Sequence, residues 1–142
     1  MKPVSELLKS RAGTIWHVRP DDTVYTALQL LAQHEVGALM VMDRGRLIGV
    51  LSERDYTRKV ALLGRSSKDT KVSEIMTPNP ITVTPKATSH QCMALMSEKR
   101  FRHLPVVEGG TVLGMISIRD IMDDIIADHE ETIAQLESYI HQ

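Results

Sequence analysis

Cysteine occurs once, at Cys92, which excludes an internal disulfide framework and any Cys-rich zinc site. Aromatic residues make up only 4% of the chain, with a single Trp16 and a single Phe101. That is too few for the stacking platforms of a single-strand nucleic-acid binder. No apolar run approaches the roughly 18 residues a membrane span needs. The N-terminus carries no apolar stretch of the kind that opens a secretory signal, so a cytoplasmic address is expected. The net charge is only −1, which argues against a chain whose main task is to hold a phosphate backbone. What remains is 42% hydrophobic and 25% charged over 142 residues, about one ordinary globular domain with enough length for a real core.

The small net charge hides a split. Residues 1–118 carry 16 Lys and Arg against 11 Asp and Glu, a net of +5. Residues 119–142 carry Arg119 against seven acids (Asp120, Asp123, Asp124, Asp128, Glu130, Glu131 and Glu137), a net of −6. A solvated acidic helix face accounts for the tail. A mildly basic body also suits an anion smaller than a nucleic acid.

The chain repeats itself. Shifted by 65 residues, positions 18–56 align with 83–121 without a gap, and 11 of the 39 pairs are identical. The identities include Pro20/Pro85, Thr23/Thr88, Leu39/Leu104, Gly49/Gly114, Ser52/Ser117, Arg54/Arg119 and Asp55/Asp120. A weaker copy leads each half, Val4-Ser5-Glu6-Leu7-Leu8 against Val72-Ser73-Glu74-Ile75-Met76. Self-similarity of this kind marks a duplicated structural unit.

Each copy reads as β-α-β-β-α. Ile15-Trp16-His17-Val18 and Ile81-Thr82-Val83-Thr84 are short β-rich runs closed by a proline. Thr23 and Thr88, or the residue before each, are expected helix N-caps, with apolar residues at helical spacing behind them. Ala38 to Met42 and Leu104 to Val107 are apolar strands. Arg44-Gly45 and Gly109-Gly110 sit where hairpin turns are needed, and Leu47 to Leu51 and Val112 to Ile116 return. A helix starts at each of Ser52 and Ser117, and Gly64 to Thr70 is the linker. The expected organisation is a first repeat at 1–65, a second at 66–128 and a helical extension at 129–142. Neither repeat has much apolar surface alone, so the two are expected to pack as one α/β (α+β) module.

The strand-to-helix junction is the most informative stretch: Gly49-Val50-Leu51-Ser52-Glu53-Arg54-Asp55, repeated as Gly114-Met115-Ile116-Ser117-Ile118-Arg119-Asp120. Helix N-termini attract anions, and a strand glycine lets a flat ligand come close to the backbone. An ionised Asp only accepts hydrogen bonds, so vicinal ribose hydroxyls suit it and a phosphate does not. Ser-x-x-Asp is equally a variant capping box, and spacing alone does not separate the two roles.

The duplicated unit, the segment Phe101-Arg102-His103-Leu104-Pro105-Val106-Val107 and the two G-h-h-S-x-R-D blocks (h, hydrophobic) together resemble a tandem pair of cystathionine-β-synthase-type (CBS) domains over about residues 1–128. The resemblance implies two repeats about an approximate two-fold axis. It also implies two clefts that commonly hold AMP, ADP, ATP, dinucleotides such as NAD, or S-adenosylmethionine, in a stand-alone bacterial-type module that regulates rather than catalyses. Carried over, one cleft uses Val50, Ser52 and Asp55 with Pro80, Ile81, Arg102 and His103. The other uses Met115, Ser117 and Asp120, and Arg119 as a phosphate candidate, with Ile15, Trp16, Gly37 and Ala38. The copies differ where Met40 stands against Pro105 and Gly37-Ala38 against Arg102-His103. The first cleft is therefore expected to favour phosphate.

Other residues have plainer readings. Exposed helix arginines such as Arg54 and Arg119 are usually solvated. Trp16 is expected to be buried, although it could cover an adenine. The six histidines show no metal spacing, and Cys92 is expected in the core. No catalytic constellation stands out, so neither an enzyme nor a catalytic cofactor is expected. From Ile118 through Met122, Ile125, Ile126, His129, Ile133 and Leu136 to Ile140, three- and four-residue steps predict one long amphipathic helix or two joined. Packing of that stripe on a second subunit is preferred, hence a homodimer. The expected function is a sensor of adenine nucleotides, AMP foremost with ATP or NAD(H) as alternatives, reporting to an unidentified downstream protein. No nucleic-acid or membrane partner is expected. The rival is an interaction adaptor without ligand.

Overall fold

A computed structural model describes residues 2–9 and 16–140, without the side chain of residue 139. The chain forms two compact units: a contiguous one, Thr14–Ile81, and a split one, Met1–Gly13 with Thr82–Gln142.

The contiguous unit holds β1 (His17–Val18), α2 (Val24–His34), β2 (Ala38–Asp43), β3 (Arg46–Ser52), α3 (Glu53–Tyr56), α4 (Val72–Ile75) and β4 (Thr77–Pro78); α1 (Val4–Lys9) belongs to the split unit. Its sheet runs β1-β2-β3-β4, with β1 parallel to β2 and the other pairs antiparallel. Thr23 caps α2 by accepting from the Thr26 N–H at 3.1 Å, as a β-region threonine should. Val24, Ala27 and Leu31, three and four residues apart, put one face of α2 into a core with Val18, Leu39, Val41, Leu51, Val60, Val72 and Ile75. Arg44 and Gly45 both take positive φ, the signature of a two-residue hairpin loop between Asp43 and Arg46.

The split unit repeats this plan with α5 (Ser89–Lys99), β5 (His103–Glu108), β6 (Thr111–Ser117) and α6 (Ile118–Ile140). Thr88 caps α5, Gly109 and Gly110 turn the hairpin, and Cys92, Met96, Leu104, Val106, Ile116 and Ile121 are buried. Even the irregularities correspond: the ladder slips between Val41 and Met42 and again between Val106 and Val107. Cys92 is a core residue as expected, and burial pushes its thiol pKa up.

Three expectations need correction. The run Ile81-Thr82-Val83-Thr84 forms no strand; only Val83 makes a parallel bridge, to Val106. The helix expected from Ser52 is one turn of α-helix followed by a π-helical segment, Thr57–Ala61. Trp16 is not buried: it is 37% exposed and stacks on the His34 ring, centroids 3.4 Å apart and planes within 11°. An aromatic partner at the surface satisfies the indole face without core space.

The leaders cross over. Val4 N–H donates to the Ala87 carbonyl at 2.8 Å and Ser5 N–H to that of Pro85 at 3.1 Å, so the first leader helix sits on the second repeat. Val72 N–H donates to the Asp22 carbonyl at 2.8 Å and Ser73 N–H to that of Pro20 at 3.0 Å, the same bonds in the opposite exchange. Sequence repeat and compact unit are thus different partitions of one chain.

Candidate functional site

In each unit an antiparallel hairpin ends in a serine that starts a helix. Ser52 is the last residue of β3, and Ala38 pairs with it across the ladder. Glu53 N–H then donates to the Gly37 carbonyl at 3.0 Å, tying the helix start to the head of β2. Asp55 turns back: its Oδ2 accepts from Ser52 N–H at 2.9 Å and from Ser52 Oγ at 3.1 Å, while Asp55 N–H donates to Ser52 Oγ at 3.2 Å. The split unit reproduces this arrangement closely. His103 pairs with Ser117, Ile118 N–H donates to the Arg102 carbonyl at 2.8 Å, and Asp120 Oδ2 accepts from Ser117 N–H at 2.8 Å and Ser117 Oγ at 2.9 Å.

Both boxes are therefore complete caps. Each serine hydroxyl donates once and accepts once, which leaves one lone pair; each aspartate keeps Oδ1 outside the box. Both carboxylates are partly buried.

Within the contiguous unit the structure also brings up the β4 side. Thr77 pairs with Val50 and Pro78 with Gly49, and Asn79 N–H reaches the Ile48 carbonyl at 3.1 Å. The half-buried Pro80 and Ile81 follow directly. Five of the seven residues expected for the first cleft, Val50, Ser52, Asp55, Pro80 and Ile81, thus lie in one unit; Arg102 and His103 lie in the other, where His103 opens β5 and pairs with Ser117. Of the second group, Met115, Ser117, Arg119 and Asp120 are in the split unit, and Trp16, Gly37 and Ala38 in the contiguous one. Ile15 lies outside the described residues. The guanidinium-bearing Arg54, Arg102 and Arg119 are exposed.

The strand glycines serve a different purpose from the one expected. A Cβ on Gly49 would stand 2.6 Å from Met76 Sδ and 3.0 Å from the Thr77 carbonyl oxygen; one on Gly114 would stand 2.9 Å from Leu8 Cδ2. The missing side chain makes room for the leader segment of the other repeat. Chain packing, not close approach by a flat ligand, occupies that space.

Lys59 is the residue the motif did not single out. Its Nζ lies 3.4 Å from Asp55 Oδ1 and donates to the Ile75 carbonyl at 2.9 Å. The signal was present as an Asp and a Lys four residues apart on one helix face. The repeat hid it, because the equivalent position of the second copy is Asp124, which accepts from the buried Ser89 hydroxyl.

With the duplicated junction in place, comparison with known proteins is decisive: the family described as CBS domain matches residues 5–62 and again 72–127. The chain belongs to the CBS domain family. Its two CBS domains are similar to CBS domain-containing protein CBSX3, mitochondrial, of Arabidopsis thaliana, at 41% identity over 96% of this chain and 71% of that protein. In several further Arabidopsis relatives the chain spans only 21–25% of the protein's length. A solved CBS-domain protein from Burkholderia ambifaria MC40-6 superimposes with a TM-score of 0.85 at 46% identity, covering 89% of this chain and 96% of that one. A hexameric CBS-CP12 protein from bloom-forming cyanobacteria superimposes at 0.78 with 26% identity, covering 98% and 88%. The fold is thus the α+β CBS-pair fold with a C-terminal helix, and CBS pairs of this kind are generally regulatory rather than catalytic. Among the described residues no helix is long and apolar enough to cross a membrane, and no cluster of metal-ligating side chains occurs.

Proposed function

We infer that this CBS pair is a regulatory module that binds adenosine-containing ligands, AMP foremost with ATP, ADP and NAD(H) as alternatives, and passes their presence to another protein. The observation that carries the reading is the pair of Ser-Asp boxes, each with a partly buried carboxylate whose Oδ1 lies outside the cap. An acceptor-only group in that position suits the 2′- and 3′-hydroxyls of a ribose. Ser52 and Ser117 hold the carboxylates in place, and Val50, Pro80 and Ile81 supply an apolar edge for a base. Arg102 is the cation assigned to phosphate, since a guanidinium matches phosphate oxygens in a fork, and His103 follows it directly. No catalytic step belongs to this reading.

Calorimetric titration with AMP, ADP, ATP, NAD and adenosine tests it. Asp55→Ala and Asp120→Ala should each weaken one binding event by about 2–4 kcal/mol, the scale of lost charged hydrogen bonds. Arg102→Ala should lower discrimination between AMP and adenosine at one event only, and repeating it on each Asp variant assigns that event to a box. A second reading, an adaptor without ligand, is favoured by the fact that both boxes close fully as caps. On that reading the variants lose stability, and no titration gives heat.

A further inference from the structure

Helix α6 outlasts the unit that starts it. Ile121 is fully buried, but every described side chain from 129 onward is exposed. Met122, Ile126, Ile133, Leu136 and Ile140 are between 47% and 75% exposed, a contiguous apolar line that nothing in the chain covers among the described residues. With His129 included, the positions advance by four, three, four, three and four residues. That period of 3.5 is the narrow seam of a two-stranded coiled coil, not the broader stripe of a helix lying on its own domain.

The flanks of the seam distinguish the orientations. On one side, directly after Met122, His129 and Leu136, stand Asp123, Glu130 and Glu137. On the other, directly before Ile126 and Ile133, stand the uncharged Ile125 and Thr132. Two antiparallel copies would set the acidic flank against itself, with Glu130 beside Glu130 of the second copy. Two parallel copies in register set each acidic flank against the uncharged one, and no like charges meet. Interlocking seams along about 28 Å of helix would remove apolar area on the order of 1,000 Å², the scale of a specific interface.

We propose that α6 pairs in parallel and in register with α6 of a second copy of this chain, through Met122, Ile126, His129, Ile133, Leu136 and Ile140. His129 forms the one polar layer, which costs stability and holds the register. This interface is independent of the ligand reading, because it uses no residue of either Ser-Asp box.

Sedimentation equilibrium on the full chain tests it. The wild-type protein should be dimeric at micromolar concentration. Ile133→Glu with Leu136→Glu should weaken dimerisation at least about a hundredfold, because two charges would enter the seam. Both side chains are exposed in the single chain, so nucleotide titration, and thermal unfolding at concentrations where both proteins are monomeric, should stay unchanged in the double variant. Leu136→Cys in a Cys92→Ala background should oxidise to a covalent dimer, and Glu130→Cys should not. A wild-type monomer overturns the proposal; if that monomer captures an added heptad peptide with lysine flanks, the occupant is a foreign helix. A dimer indifferent to the double variant overturns it, as does cross-linking through Glu130→Cys instead of Leu136→Cys.

Discussion

The two repeats hold the same Ser-Asp box to within about 0.2 Å in every bond, yet the chain after each box differs completely. After Ser52 come four α-helical residues and then a π-helical turn whose Lys59 lies beside Asp55 and bonds back to the Ile75 carbonyl. After Ser117 the helix continues for 23 residues, and the position of Lys59 is taken by Asp124. One carboxylate therefore has a lysine one turn further along the chain, where the other repeat has an aspartate. A short motif determines its own hydrogen bonds, whereas its charge environment depends on residues a turn or more away.

The largest effects should come from the shared core. Leu39 and Leu104 are equivalent and both fully buried. Leu39→Ala and Leu104→Ala should each cost about 2–5 kcal/mol in urea unfolding. Two transitions in one variant and one in the other would show that the units unfold separately and would sharpen the contrast between them.

The glycines should break the symmetry next. At Gly49 an alanine meets Met76 Sδ and, at 3.0 Å, a backbone oxygen; at Gly114 it meets only the end of the Leu8 side chain. Gly49→Ala should therefore cost about 1–3 kcal/mol as an overpacking substitution. Gly114→Ala should cost clearly less, because the far end of Leu8 can turn aside. Equal losses in thermal unfolding would contradict this account.

The boxes themselves should respond alike as caps. Asp55→Ala and Asp120→Ala each remove acceptors from a serine N–H and hydroxyl, at a cost of about 1 kcal/mol apiece. Lys59→Ala then separates the copies: it should change the ligand affinity of the event that Asp55→Ala weakens and leave the event weakened by Asp120→Ala as it was.

The smallest effect concerns Glu74, in the leader of the second repeat. Lys71 N–H donates to its Oε2 and Arg65 to its Oε1, both at 2.7 Å, and these bonds hold its carboxyl below the usual carboxylate range. A depressed folded value means that the contribution is complete above the ordinary carboxylate pKa and disappears as pH falls through the folded one. Glu74→Gln should therefore lower stability slightly at neutral pH, and the difference from wild type should close as pH falls through the folded value, which flattens the acid limb. Because the site is exposed, the difference should shrink further in high salt.

These contrasts separate what is local from what is not. The duplication, the caps at Thr23 and Thr88, the turns at Arg44-Gly45 and Gly109-Gly110, the buried Cys92 and the long terminal helix were all legible in the sequence. Each depends on residues a few positions apart, where spacing and side-chain type dictate geometry. Family membership was legible for the same reason, since the repeated junction is a short contiguous motif. The place of Trp16 and the loss of a second strand at Ile81-Thr82-Val83-Thr84 were not legible, because each is settled by surfaces brought together in folding. The crossover of the leaders is the clearest case. Val4 and Val72 carry the same local sequence, and nothing in it says which repeat either will join. Only the tertiary structure decided that, by giving Leu8 and Met76 the space that Gly114 and Gly49 leave open.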